Sequence, residues 1–175
     1  THGYHSADDL PQLLNPPSGY LFNTNNTPFN ATHPDENLNE AEYDPTLGFR
    51  EKENNRSIRF MELIEQYPTI DYEEFQRIKY DQQYPDSLYC PFQLNEVFDI
   101  DPNAYPHIKD LIEIIQRWDR KANIENTSAA QWSILFKKLV ERTKEEGLYN
   151  ATTLPEELII EDIEATQTYL LKHFK

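Results

Sequence analysis

Basic residues, cysteine and long apolar runs are all scarce in this 175-residue sequence, and each shortage removes a class of function. Lys and Arg number 16 against 31 Asp and Glu, a formal net charge of -15. Such a surface repels phosphate backbones and anionic lipid headgroups, so neither nucleic acid nor a membrane is expected as a partner. The single cysteine, Cys90, excludes an internal disulfide framework and a Cys-based zinc cluster. It leaves the periplasm open. No apolar run approaches the roughly 20 residues of a membrane helix, and no signal peptide is evident. A secreted precursor would carry its signal upstream of Thr1. Apolar residues make up a modest 38%, yet aromatics reach 13%. Disordered acidic chains are poor in aromatics, so folding is expected, and the length suffices for one domain with a core.

Two textures divide the chain. Residues 1–53 are rich in Asn, Pro, Thr and Asp and show little helical period. They contain one strand candidate, Tyr20 to Asn25, flanked by the turn signals Pro16-Pro17-Ser18-Gly19 and Thr27-Pro28. Residues 31–50 read as a long surface loop. From 54 to 175 apolar residues recur at helical spacing. Ile58, Met61, Leu63 and Ile64 give one face, ended by Tyr67-Pro68. Asp71 and Glu74 form a capping box before a helix expected to bury Tyr72, Phe75 and Ile78. Residues 87–102 are ambiguous, with Pro91 as a breaker. Ile108, Leu111, Ile112, Ile115 and Trp118 make the next stripe. Ser128 with Gln131 predicts another capping box, followed by Ala129, Trp132, Leu135, Phe136 and Leu139 and ended by Gly147. Thr153 with Glu156, and Pro155 in the first turn, opens a last helix carrying Ile159, Ile163, Thr166, Leu170 and Phe174. The expected fold is mainly α, with one N-terminal strand and a long loop before the helices.

The sharpest local signal runs from Asn15 to Pro28, Asn-Pro-Pro-Ser-Gly-Tyr-Leu-Phe-Asn-Thr-Asn-Asn-Thr-Pro. Physically it is a turn, a short extended run and a polar end. Asn at such an end ordinarily caps its own backbone. An Asn amide can also donate to a developing oxyanion. Asn-Pro-x-Ser-Gly-aromatic followed by Asn-x-Asn-Asn-x-Pro resembles the β-chain motif of penicillin acylases and acyl-homoserine-lactone acylases. The run Arg56-Ser57-Ile58-Arg59-Phe60-Met61-Glu62-Leu63 resembles the Arg-led amphipathic helix that follows it in that family. Ile70-Asp71 through Asp81 resembles the next helix. The Trp118-Asp119 pair and the Ala129-Ala130 helix start also fit.

The resemblance implies an internal β-chain piece of an N-terminal nucleophile hydrolase of αββα fold. It implies hydrolysis of a linear amide by a Ser that becomes the first β-chain residue and uses its own α-amino group as base. By motif position, Asn25 corresponds to the oxyanion-hole Asn and Arg56 to the Arg that orients it. An ordinary first-turn helix residue is the competing reading of Arg56. Family members often bind calcium through an Asp in the loop after the Asn; Asp35, Glu36 and Asp44 lie there, although an acidic loop is usually just solvated. No cofactor is expected in this piece itself. The implied partners are a small amide substrate and the rest of the same precursor, its α-chain and remaining β-chain. A bacterial periplasmic or secreted location is implied as well.

The family's nucleophile lies far upstream of the Asn, whereas 24 residues precede Asn25 here. Thr1 could act as an N-terminal nucleophile, but its place does not match the family's Ser. This piece alone is therefore expected to be inactive. His2 and His5 lack companion ligands, and the sequons Asn30-Ala31-Thr32 and Asn150-Ala151-Thr152 are expected by chance in an Asn-rich chain. Glu125, Glu141, Glu145 and Glu146 read as solvated helix faces. A reading from another class competes with the amidase, namely a non-catalytic acidic helical interaction module in which Asn25 is only a cap.

Overall fold

A computed structural model describes residues 4–49, 53–90, 92, 94–148 and 153–174. Thr1, His2, Pro91, Asn150 and Ala151-Thr152 lie outside the described residues. The described residues are mainly helical, with no strand among them. The chain divides into two compact units, Thr1–Tyr80 and Asp81–Lys175. The texture change at 53/54 falls inside the first unit, where its first helix starts.

Unit 1 has almost no apolar interior. Its buried described residues are Thr27, Thr32, Ser57 and Ile64. Three of those four carry hydroxyls, so hydrogen bonds share with partly buried aromatic contacts the work of holding the segment together. The strand expected at 20–25 is an extended run without a ladder; Phe22 N–H donates to Ala31 O at 3.0 Å. The loop expected over 31–50 is broken into short 3-10 turns at Pro34–Glu36, Glu40–Glu42 and Pro45–Leu47, after one at Pro28–Asn30. Each begins with a side chain accepting a backbone N–H, from Thr27, His33, Asn39 and Asp44. Without a sheet, those N–H groups need such acceptors. Helix α1 (Asn55–Ile64) follows a capping box of Asn54 and Ser57, and α2 (Tyr72–Lys79) follows the expected box of Asp71 and Glu74. The predicted buried side of α2 is a correction: Tyr72 is 69% exposed, Phe75 53%, and Ile78 half-buried. The helix packs on α1, and that contact does not cover its aromatic residues.

Unit 2 contains α3 (Asn95–Asp99), α4 (Lys109–Gln116), α5 (Ala129–Glu145) and α6 (Glu156–His173). The α4 stripe is buried as its period predicts, from Ile108 through Leu111, Ile112 and Ile115 to Trp118 just past the helix end. Trp132 of α5 stacks on Trp118 at 5.1 Å and on Phe98 at 5.2 Å. Leu135, Leu139, Ile159 and Ile163 close the core between α5 and α6. Gln116 Nε2 donates to the Phe98 and Ile100 carbonyls, tying α4 to the exit of α3. Gly147, at φ 70°, ends α5 in the left-handed conformation. Its N–H reaches Lys144 O while Leu148 N–H reaches Thr143 O, the paired bonds of a Schellman ending.

Two predicted caps are corrected. Ser128 makes no side-chain cap; Asn126 Oδ1 accepts from the N–H groups of Ser128 and Ala129 instead. Thr153 does not cap α6, and Pro155 stands at the cap position rather than in the first turn. Asn is an equally good acceptor, and a fixed φ suits Pro at a helix entrance.

Inside unit 2, Arg142 of α5 pairs with two carboxylates of α6. Arg142 Nη2 lies 2.8 Å from Asp162 Oδ1, and the Asp162 side chain is 6% exposed. Glu161 Oε2 lies 3.2 Å from Arg142 Nη1. Removing the cation strands a buried carboxylate, so Arg142→Met should cost about 2–3 kcal/mol, and adding Asp162→Leu should recover most of it. Leu135→Ala, at a fully buried site, should cost about 2–5 kcal/mol. Urea unfolding followed by the fluorescence of Trp118 and Trp132 measures both. Midpoints equal to wild type in the single variants would contradict this account of the core.

Candidate active site

Helix α1 and the extended run 20–24 meet through aromatic rings. Phe60 stacks on Phe22 at 4.4 Å and meets Tyr20 edge-on at 6.2 Å. Tyr20 Oη donates to Met61 Sδ at 3.9 Å. Burial first, then the Glu65 and Glu36 carboxylates, push the Tyr20 phenol up, so it remains a neutral donor. Thr32, fully buried, donates its hydroxyl to Tyr20 O and meets Ser18 Oγ at 3.0 Å. Asn37 Oδ1 accepts from the N–H groups of Ala31 and Thr32. These bonds do for 18–37 what a ladder would do in a sheet.

Phe60 lies one turn beyond Arg56, and Phe22 lies three residues before Asn25. The stacked rings therefore bring the start of α1 opposite the Asn motif. Arg56 Nη2 donates to Asn25 Oδ1 at 2.7 Å. Both residues are exposed. Asn25 sits in the left-handed region at φ 65°, which Asn tolerates better than most residues. Its N–H donates to Asn23 Oδ1 at 2.8 Å.

The guanidinium also settles which way the amide faces. Oxygen and nitrogen of an Asn side chain are assigned from their partners, and a guanidinium can only donate. Oδ1 must face Arg56, so Nδ2 is the free end. No described residue accepts a hydrogen bond from Nδ2. A cation behind the oxygen polarises the amide and strengthens its N–H groups as donors.

The two residues picked from the sequence as Asn and orienting Arg are thus in direct contact. The three loop carboxylates are not brought together. Asp35 lies 3.9 Å from His33 Nδ1 and its side chain is 92% exposed. Glu36 Oε2 accepts from Ser18 N–H. Asp44 Oδ1 accepts from the backbone and hydroxyl of Thr46, whose backbone bond is the larger cause holding its carboxyl below the usual range. Among the described residues no group of three His, Cys, Asp or Glu side chains could hold a metal ion. Asp35, Glu36 and Asp44 each face a separate partner. Cys90 offers no thiolate either: burial pushes its pKa up, and its Sγ lies 2.5 Å from Phe92 O.

Sequence reasoning missed Asn54 and Asn26. Asn54 Oδ1 caps α1 at the N–H groups of Arg56 and Ser57, and its Nδ2 donates to Thr24 O at 2.9 Å. Asn26 Oδ1 accepts from Thr24 N–H and hydroxyl, and its Nδ2 donates to Asn30 O. The Asn-x-x-Ser spacing at Asn54 and Ser57 was the signal for the first; nothing in spacing distinguishes Asn26 from its neighbours.

An oriented, cation-backed amide donor is a tool for stabilising negative charge on oxygen, as amide hydrolysis requires. The chain matches the penicillin amidase family over residues 1–173 and belongs to it. Membership supports an amidase-like function in general, hydrolysis of amide bonds. No solved structure matches the chain. Among the described residues no helix is long and apolar enough to cross a membrane.

The aromatic contact is testable by itself. Phe60→Ala should cost unit 1 about 2–3 kcal/mol, from lost packing and the lost stack. Chymotrypsin cleavage after Tyr20 and Phe22 should then speed up about tenfold or more, since cleavage follows the open population. Unchanged cleavage would mean that the rings do not hold the run against α1.

Proposed function

We propose that this chain supplies the oxyanion donor of an N-terminal nucleophile amidase, with Asn25 as donor and Arg56 as the residue that orients it. The observation that carries the reading is the 2.7 Å bond from Arg56 Nη2 to Asn25 Oδ1, which leaves Nδ2 without an acceptor among the described residues. Family membership supports the same reaction class. The nucleophilic Ser and its α-amino base come from another segment of the precursor. As the Ser oxygen bonds to the amide carbon, the carbonyl electrons move onto oxygen, and the Asn25 Nδ2–H donates to that oxyanion. Collapse breaks the C–N bond and releases the amine with the proton that the α-amino group removed from Ser. The substrate class is a linear amide, of the sort found in N-acyl-homoserine lactones or β-lactam side chains. The enzyme works in the periplasm or outside the cell.

In the processed amidase, Asn25→Ala should lower kcat by roughly two to three orders of magnitude, the usual loss for one oxyanion donor. KM should move little, because the bond tightens mainly in the transition state. Near-normal kcat would show that Asn25 is not the donor.

The 175-residue chain alone should turn over neither chromogenic N-acyl substrates nor long-chain acyl-homoserine lactones. A donor acts only about 3 Å from where the oxyanion forms, and a nucleophile fixes that point. Turnover abolished by Thr1→Ala would overturn this and install Thr1 as the nucleophile.

A further inference from the structure

The peptide unit that leads into Asn25 is gripped at both ends by side chains. Its carbonyl, on Thr24, accepts from Asn54 Nδ2 at 2.9 Å. Its N–H, on Asn25, donates to Asn23 Oδ1 at 2.8 Å. The Asn54 grip differs from the other because the same amide holds something else. Asn54 Oδ1 accepts from Arg56 N–H at 3.0 Å and from Ser57 N–H at 3.1 Å, fixing the turn of α1 from which Arg56 projects. Ser57 completes the arrangement: its hydroxyl accepts from Asn54 N–H at 3.0 Å and donates to Asn54 O at 2.8 Å, and Ser57 is fully buried. Asn54 is itself half-buried. One planar amide thus ties the backbone before Asn25 to the backbone at Arg56.

We propose that Asn54 is a positioning residue, a clamp that sets the Arg56–Asn25 pair in register so that the Asn25 Nδ2–H points at the oxyanion. The inference rests on the role given above to Asn25. Its chemical basis is the difference between Asn and the other capping residues. Asp, Ser and Thr accept the N–H groups of a helix start as well as Asn does, or nearly so. Among the residues that cap well, Asn alone also carries an amide NH2 with two donors. A cap needs the oxygen; the bridge to Thr24 needs the nitrogen.

Replacing Asn54 by Ser or Asp therefore keeps the cap and removes the bridge. In the processed amidase, both Asn54→Ser and Asn54→Asp should lower kcat about tenfold to a hundredfold, the effect of a small misplacement at a reacting centre. KM should stay within about twofold, and the thermal midpoint close to wild type. Asn54→Ala should lose the same kcat and some stability as well. A second readout does not use activity. In the 1H–15N spectrum of the 175-residue chain, the Asn25 side-chain amide pair should lie away from the position of a free Asn. It should move to that position in Asn54→Ser, while the Arg56 and Ser57 backbone amides keep their capped shifts. Wild-type kcat in Asn54→Ser and Asn54→Asp, alongside a loss in Asn25→Ala, would reduce Asn54 to a simple cap and overturn the clamp. If Asn25→Ala itself kept its kcat, the role of Asn25 would fall, and the spectrum would decide: a moved Asn25 pair supports the clamp, an unmoved one removes it.

Discussion

In unit 1, where no ladder forms among the described residues, side chains accept many of the backbone N–H groups that a sheet would have satisfied. Leaving such a group buried and unpaired costs as much as a lost hydrogen bond, so the requirement is not optional. Short polar side chains of this segment supply much of that pairing. Thr27, His33, Asn39, Asp44 and Asn54 each open a turn or helix, and Asn37 holds the Ala31-Thr32 backbone. This explains why the segment buries Thr32 and Ser57 where a sheet protein would bury Val or Ile. Unit 2 solves the ordinary problem in the ordinary way, with Ile, Leu and Trp side chains excluded from water between helices.

That division decides what could be read from the sequence. Periodicity reports apolar burial, so the α4 stripe and the α5 run were legible, whereas of the α1 face only Ile64 is buried. Gly147 was legible because only a residue free to adopt positive φ ends a helix that way. Asp71 was legible because its Glu74 partner sits at the capping-box spacing. Ser128 and Thr153 had the same spacing and failed. Any of several nearby polar side chains can serve a helix start: Asn126 takes the N–H groups of Ser128 and Ala129, and α6 begins behind Pro155 with no side-chain cap. The side of α2 failed for a different reason. A stripe predicts which residues could be buried, not whether anything covers them, and Tyr72 and Phe75 remain in solvent.

The Asn motif was legible by its pattern alone, yet its geometry was not. Tyr20 to Asn25 has the composition of a strand, and a strand needs a partner. Here the partner is a ring: Phe60 stacks on Phe22, and the carbonyls and N–H groups of the run go to side chains and to Ala31. What spacing could not convey is that Asn25, Arg56 and Asn54, 31 residues apart at most by the Arg56 bond, converge on one turn. The convergence depends on the contact of Phe22 with Phe60, which no spacing in the sequence announces.

The bond between Arg56 and Asn25 cannot itself supply the order it displays. Both side chains are exposed, and a charged group in water gains little from one surface contact while losing the freedom of a long side chain. An Arg in such a place holds an amide only if the amide is already nearly in position. The neighbours see to that. Asn23 and Asn54 fix the peptide plane before Asn25, Asn26 fixes Thr24, and the capped first turn fixes the base of Arg56. Orientation is thus set by bonds to backbone, each removing a torsion at small cost because both partners are short side chains or main chain. The guanidinium then selects between the two faces of the amide, oxygen inward and nitrogen outward. Donors aimed before the charge develops need no reorganisation at the moment of reaction. A polar, nearly coreless segment can therefore orient an exposed amide, because its asparagines bind the backbone around it.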